Sequence, residues 1–148
     1  MKRIHFYDLD RKSYLKNKTA LQFFLVNVFN KEKTHFLNVN IMFCSDDYLI
    51  ALNKRFLKKN YFTDILSFSL GNSSEALEGE IYISVDRIKE NSVKFHATYL
   101  EELVRVIIHG ALHFCGYSDK TKVLRSRMFK TQEEYLKDWM VSRETIKL

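Results

Sequence analysis

Residues 36–43, Phe-Leu-Asn-Val-Asn-Ile-Met-Phe, decide the fold class. Leu37, Val39, Ile41 and Phe43 alternate with Asn38, Asn40 and Met42, the two-residue period of a half-buried strand. Immediately after it, Ser45 with Asp46 and Asp47 opens a helix that runs to about Leu57, since a hydroxyl caps free N–H groups and carboxylates suit the positive end of the helix dipole. On the upstream side, Asn17 can cap a helix over residues 18–31, where Leu21, Phe24, Leu25 and Val28 recur at helical spacing, and residues 4–10, IHFYDLD, read as a first strand. Downstream, residues 63–70 and 80–84 read as two more strands separated by the loop GNSSEALEG. Helices follow over roughly 85–94 and 99–115. The last is a long amphipathic helix within 120–140, with Val123, Leu124, Arg127 or Met128, Tyr135 and Trp139 along or beside one face. Strands alternating with helices predict an α/β (α+β) domain, with about four strands in a mixed sheet packed by about five helices.

The 148 residues fit one domain, 1–148, with no repeat, no low-complexity run and no proline to mark a linker. A hydrophobic share of 46% excludes a disordered chain, and the longest apolar runs are interrupted and too short for a bilayer span. No signal peptide is read at the N-terminus, so a cytoplasmic protein with no membrane association is expected. The formal charge of +6 suits a polyanionic partner, though charge alone selects none. Cys44 and Cys115 lack CxxC spacing, and each is expected to be a buried small hydrophobe.

Chemistry concentrates in IHGALHFCGYSDK, residues 108–120. Positions i and i+4 of a helix differ by only about 40° of rotation, so His109 and His113 stack on one face within reach of one ion. Gly116, three residues on, suits a left-handed helix end, after which the reversed chain can return Asp119 to the same point. HxxxHxxGxxD therefore supplies three ligands, His109, His113 and Asp119, and leaves a fourth position open at the end of a central helix. A lone HxxxH pair is common by chance; the added glycine and carboxylate, at the spacing of a known zinc pattern, favour a metal. His5, His35 and His96 lie outside the pattern and are given no role.

Zinc peptidases with this spacing carry a glutamate general base after the first histidine; here that residue is Gly110, which disfavours peptide hydrolysis. A three-ligand zinc can still activate an attacking oxygen and polarise a phosphoryl group, so with the basic charge phosphodiester hydrolysis leads. A structural zinc would need a fourth protein ligand, and Cys115, the soft candidate nearby, points away from the histidine face.

VIIHGALHFCGYSD, preceded by LNKRFLKKNYFTDILSFSL and GEIYIS, resembles the bacterial YbeY endoribonuclease family, also described as rRNA maturation factors, across about residues 37–136 and in the family's block order. The resemblance implies a zinc-dependent, single-strand-specific endoribonuclease acting in maturation of small-subunit ribosomal RNA and in ribosome quality control. It also implies a small α/β fold whose basic cleft holds one zinc ion per chain. Two departures stand out. Relatives usually read HGxLHxxGYDH, so Asp119 stands where they carry a third histidine; aspartate is a competent zinc ligand. Relatives also commonly read NxxYRGKDxPTDVLSF, and here Leu57 stands at the arginine and Phe62 at the proline.

Arg55, Lys58 and Lys59 keep that segment basic and are candidates for RNA backbone contact, although lysine lacks the arginine fork; they equally suit a solvated turn. Thr63 and Asp64 match the family's TD pair, and the Asp64 carboxylate either orients a ligand histidine or simply caps the strand. Arg105, one turn before His109, either reaches phosphate or pairs with Glu101 or Glu102. Tyr61 and Phe62 either stack on unpaired bases or cover the core. The catalytic group is open among Arg55, Lys58, Lys59, Asp64 and Arg105, and so is the nucleophile, water or the RNA 2′-hydroxyl. The expected partners are single-stranded RNA, ribosomal RNA and the ribosome, and the expected state is a monomer. A non-catalytic rRNA-binding assembly factor with a structural metal is the alternative.

Overall fold

The computed structural model describes residues 3–58, 63–70 and 76–147, with side chains up to Arg143. The elements run β1 (Arg3–Asp8), α1 (Lys18–Lys31), β2 (Phe36–Cys44), α2 (Asp46–Leu57), β3 (Ile65–Leu70), β4 (Leu77–Ser84), α3 (Val85–Lys94), α4 (Tyr99–Phe114) and α5 (Lys122–Lys147). One sheet in the order β1-β2-β4-β3 carries them, with β1/β2 and β2/β4 parallel and β3/β4 antiparallel. The mixed sheet follows from the connections: helices link the parallel strands, and the shorter β3–β4 connection returns its strand antiparallel. Among the described residues, no helix is long and apolar enough to cross a membrane.

The alternation in β2 is broken at its start. The register against β4 shifts between Phe36 and Asn38, so Phe36 turns into the core against Phe29, with ring centroids 4.6 Å apart, while Leu37 is 44% exposed rather than inward. Further along, Met42 and Cys44 are buried as well as Ile41 and Phe43. The second face is covered by α2, through a small cluster of Cys44, Leu49 and Leu66, so this strand is buried on both sides.

Other boundaries shift for local reasons. Asn17 adopts a left-handed conformation (φ 59°) and its side chain caps nothing; its carbonyl instead accepts the Leu21 N–H at 2.9 Å. Ser45 does cap α2, accepting from the Tyr48 N–H. Part of the expected loop before β4 is strand: Leu77 N–H donates to the His35 carbonyl, and Gly79 lies under the Phe114 ring, where a Cβ would come within 2.7 Å of a ring carbon. In α5, Val123 is 67% exposed and Arg127 is exposed too; the buried face is Met128, Gln132, Tyr135, Leu136 and Trp139, because the first turn extends past the core. Lys59, Tyr61 and Phe62 lie outside the described residues.

The central helix is α4. Leu103, Ile107, Ile108, Ala111 and Leu112 are buried between the sheet and its helical neighbours α1, α3 and α5. Gly110 lets it touch the sheet, for a Cβ there would sit 2.7 Å from a methyl of Ile65 and 3.1 Å from one of Ile81. The position that carries a glutamate in zinc peptidases is thus pressed onto β3 and β4, with no room for that side chain.

Candidate metal centre

Thr98 caps α4 through the Glu101 N–H, and the sixteen-residue helix is closed at its other end by Cys115. Gly116 follows with φ 95°; its N–H donates to the His113 carbonyl and the Tyr117 N–H to the Leu112 carbonyl, both at 3.1 Å. This paired closure, which needs a residue tolerant of positive φ, reverses the chain and carries Asp119 back over the last turn.

His109 and His113 meet edge to face, with ring centroids 4.7 Å apart and planes at 85°. Their Nε2 atoms are 3.1 Å apart, and an Asp119 carboxylate oxygen lies 3.7 Å from the Nε2 of His113. One ligand atom from each of the three residues falls within 4.8 Å of the others, and among the described residues no further His, Cys, Asp or Glu joins them.

The outer nitrogens determine what the inner ones can do. The Nδ1 of His109 is 2.7 Å from the Gln132 side-chain oxygen, and that of His113 is 3.2 Å from the Tyr117 carbonyl. Both partners only accept, so each neutral ring carries its proton on Nδ1 and presents a bare lone pair at Nε2. Two lone pairs and a carboxylate facing one another repel unless a cation lies among them. Protonating a ring is a poor remedy at His113, whose pKa is pushed down by burial and by the neighbouring His109, against the opposing pull of Asp119 and the Tyr117 carbonyl.

This donor set fits zinc. Two imidazole nitrogens and one carboxylate oxygen at bond lengths of about 2.0–2.2 Å around a tetrahedral ion would stand about 3.3–3.6 Å apart; the observed 3.1 Å between the ring nitrogens and 3.7 Å from His113 to Asp119 lie near that spacing, and all three ligand atoms fall within 4.8 Å of one another. Cys115 is not a fourth ligand: its thiol is pushed up to about 11 by burial, and it lies on the side of Glu32 and Tyr117.

A polar chain holds the pair from behind. The Gln132 amide N–H donates to Glu133 at 3.2 Å, Glu133 receives Arg105 Nε at 3.0 Å, and Arg105 reaches Glu102 at 2.9 Å and Glu101 at 3.5 Å. The loop is pinned separately, because the Tyr117 and Tyr135 hydroxyls both donate to the Glu32 carboxylate, at 2.7 and 2.6 Å.

The structure therefore brings His109, His113 and Asp119 together; of the other candidates Lys59 lies outside the described residues, and none of the rest is hydrogen-bonded or ion-paired to the three ligands. Arg105 is held by three carboxylates, the ion-pair alternative of the sequence reading. Asp64 accepts the Ser84 N–H through its backbone carbonyl, and the Thr63 hydroxyl donates to the Ile65 carbonyl; orientation of the ring nitrogens falls instead to Gln132 and Tyr117. Arg55 lies over its neighbour Phe56, 5.2 Å from the ring centroid, and Lys58 ends α2 in a left-handed conformation. Neither contacts the three ligands among the described residues. Sequence reading missed Gln132 and Glu32. A glutamine on the core face of α5, four residues after Met128 and three before Tyr135, was the available signal for the first; nothing local marked Glu32.

The family model for Endoribonuclease YbeY matches residues 7–140. Curated relatives described as Endoribonuclease YbeY include one from Cytophaga hutchinsonii, 38% identical over 88% of this chain and 91% of its own. Another, from Karelsulcia muelleri, is 39% identical over 88% and 92%. The solution structure of TM1509 from Thermotoga maritima superposes with a TM-score of 0.67 at 30% identity, covering 97% of this chain and 93% of that one. A family match over nine-tenths of the sequence, together with relatives aligned nearly end to end, leads to one conclusion: the chain belongs to the endoribonuclease YbeY family.

Proposed function

We propose that this protein is a zinc-dependent endoribonuclease that cuts single-stranded RNA, acting in small-subunit ribosomal RNA maturation and ribosome quality control as a cytoplasmic monomer with one zinc ion per chain. The observation that carries the reading is the convergence of two Nε2 lone pairs and the Asp119 carboxylate, with the outer nitrogens already hydrogen-bonded. His109, His113 and Asp119 would hold the ion, which when bound supplies Lewis-acid polarisation at a phosphodiester. Three protein ligands leave a position for substrate, which favours catalysis over the assembly-factor reading, where a structural ion would need a fourth.

Around the ion the chain's own groups have separate tasks. Gln132 and the Tyr117 carbonyl keep each ring proton on Nδ1, so the inner nitrogens stay free to ligate. Arg55, Lys58 and Lys59 are the basic candidates for holding the RNA backbone in the segment that precedes β3, and Asp64, immediately before that strand, is the carboxylate candidate for proton transfer. Arg105, bound to Glu133, supports Gln132 from behind, and its fork has little left for phosphate.

The test is cleavage of an end-labelled single-stranded rRNA fragment by tag-free protein, before chelation, after it and with zinc restored, beside a folded His113→Ala control. Cutting that needs both zinc and His113 supports the reading. Identical traces from wild type and variant would refute it and favour the assembly factor. Product ends identify the nucleophile, since a 2′,3′-cyclic phosphate rules out direct attack by water.

A further inference from the structure

The start of α5 is strongly basic. α2, α3 and α4 each begin with acidic residues, whereas the first turns of α1 and α5 have none. From Lys120 to Lys130 the chain carries Lys120, Lys122, Arg125, Arg127 and Lys130 with no Asp or Glu, and all five are exposed. Cations at a helix N-terminus oppose its dipole, so this run does not serve to stabilise the helix. Among the described residues none of the five pairs with a carboxylate.

Lys122, Arg125 and Phe129 follow one another at i, i+3 and i+7, on one face of the helix. Phe129 is 59% exposed although it lies beside the metal ligands: His109, Asp119, Arg125, Met128, Phe129 and Gln132 line one recess of about 280 Å³. Arg125 is already oriented there, its guanidinium donating to the Asp119 carbonyl at 3.2 Å. The recess is near the lower edge of the range for small-ligand pockets, about 300–1,000 Å³, so it suits one unstacked base and not a duplex.

From this we infer that the Lys122–Arg125–Phe129 face of α5 is an RNA-binding subsite: Phe129 stacks on an unpaired base next to the metal ligands, and Arg125 and Lys122 hold the flanking phosphates. The inference rests on the ribonuclease reading and specifies where that substrate lies. An aromatic platform selects single strands, because only an unpaired base offers both its faces. The cations give the salt dependence that backbone contacts carry.

The experiment measures fluorescence-anisotropy binding of a labelled single-stranded oligoribonucleotide at two salt concentrations, with cleavage and zinc affinity by chelator competition measured on the same samples. Phe129→Leu should weaken binding on the order of tenfold, and Phe129→Tyr should restore it, as the loss and return of a stacking platform predict. K122Q/R125Q should flatten the salt dependence, and zinc affinity should stay unchanged in Phe129→Leu. If wild type binds and cleaves RNA and Phe129→Leu does so equally, the base platform is overturned while the ribonuclease reading stands. Loss of binding in K122Q/R125Q alone, with no effect of Phe129→Leu, also overturns the base platform and leaves a surface that contacts phosphates only. Failure of wild type to bind or cut RNA overturns both readings together.

Discussion

Two polar clusters in this molecule contain similar residues and do opposite things. Beyond the carboxyl ends of β1, β2 and β4, Asp10, Asp46 and Asp86 gather near Ser45 and Ser84, and each carboxylate faces a proton. Asp10 accepts the Ser45 N–H and hydroxyl, Asp46 the Ser84 hydroxyl and Arg87, and Asp86 the Asp46 N–H and Arg11. At the end of α4 the arrangement is inverted: protons lie outside, on Nδ1, and acceptors face one another inside. The first cluster closes on itself and joins the starts of α2 and α3 to the sheet. The second is electrostatically incomplete, which is what a cation site requires. Three carboxylates close together are thus a weaker sign of a metal than two imidazoles whose outer nitrogens are already bonded.

Breaking the inverted cluster at a ligand should have the largest effect. His113→Ala should lower zinc affinity by a factor on the order of 10²–10³, about one ligand's share of the roughly 10–16 kcal/mol typical of four-ligand zinc sites, and should abolish RNA cleavage while the far-ultraviolet circular dichroism is kept. Next comes the ion pair behind the site. Arg105→Ala leaves Glu102, whose side chain is only 5% exposed, without its cation. Denaturant unfolding should then show a loss of about 3 kcal/mol, at the low end for breaking a buried pair. If stability is kept and only RNA affinity falls, Arg105 contacts phosphate after all.

Gln132→Leu sharpens the contrast at the orienting bond. It removes the acceptor on His109 Nδ1, and competition with a chromophoric chelator should register a loss of zinc affinity of roughly 10–100-fold, with Gln132→Glu restoring binding. The self-closed cluster should respond least, and in stability alone. Ser45→Ala removes the α2 cap at a cost of about 1 kcal/mol, with zinc binding untouched. Asp10 belongs to the same cluster. Burial works against its charge, but the Ser45 hydrogen bonds and Arg11 outweigh that and leave its pKa below 3.8. A carboxylate lowered on folding contributes stability that is present above its unfolded value and lost as pH falls through the folded one. Asp10→Asn should therefore lower stability at neutral pH and flatten the acid limb of the stability curve, so that variant and wild type converge below about pH 4.

Local rules explain how much of this was legible. The Ser45 cap, the α4 limits and the turn at Gly116 depend on neighbours a few residues away, and so does the approach of His109, His113 and Asp119, because all three lie within eleven residues. The bulge that turns Phe36 inward depends on pairing with β4, forty residues on, and no period within β2 could reveal it. Val123 belongs to the helical pattern of α5, yet tertiary packing places its turn beyond the core. Gln132 and Glu32 became visible only when α5 crossed α4 and the end of α1 met the 116–119 loop. The reasons for Gly110 and Gly79 lie in Ile65 and Phe114, which no spacing connects to them.

The most direct test of the central claim is zinc stoichiometry and affinity of the purified, metal-stripped protein, by competition with a chelator at neutral pH, in wild type and His113→Ala side by side. One ion per wild-type chain, bound far more tightly than by the variant, is the predicted result. Wild type that takes up no zinc, or a variant that binds it equally well, would contradict the account, because the convergent lone pairs of His109 and His113 would then have no cation to hold.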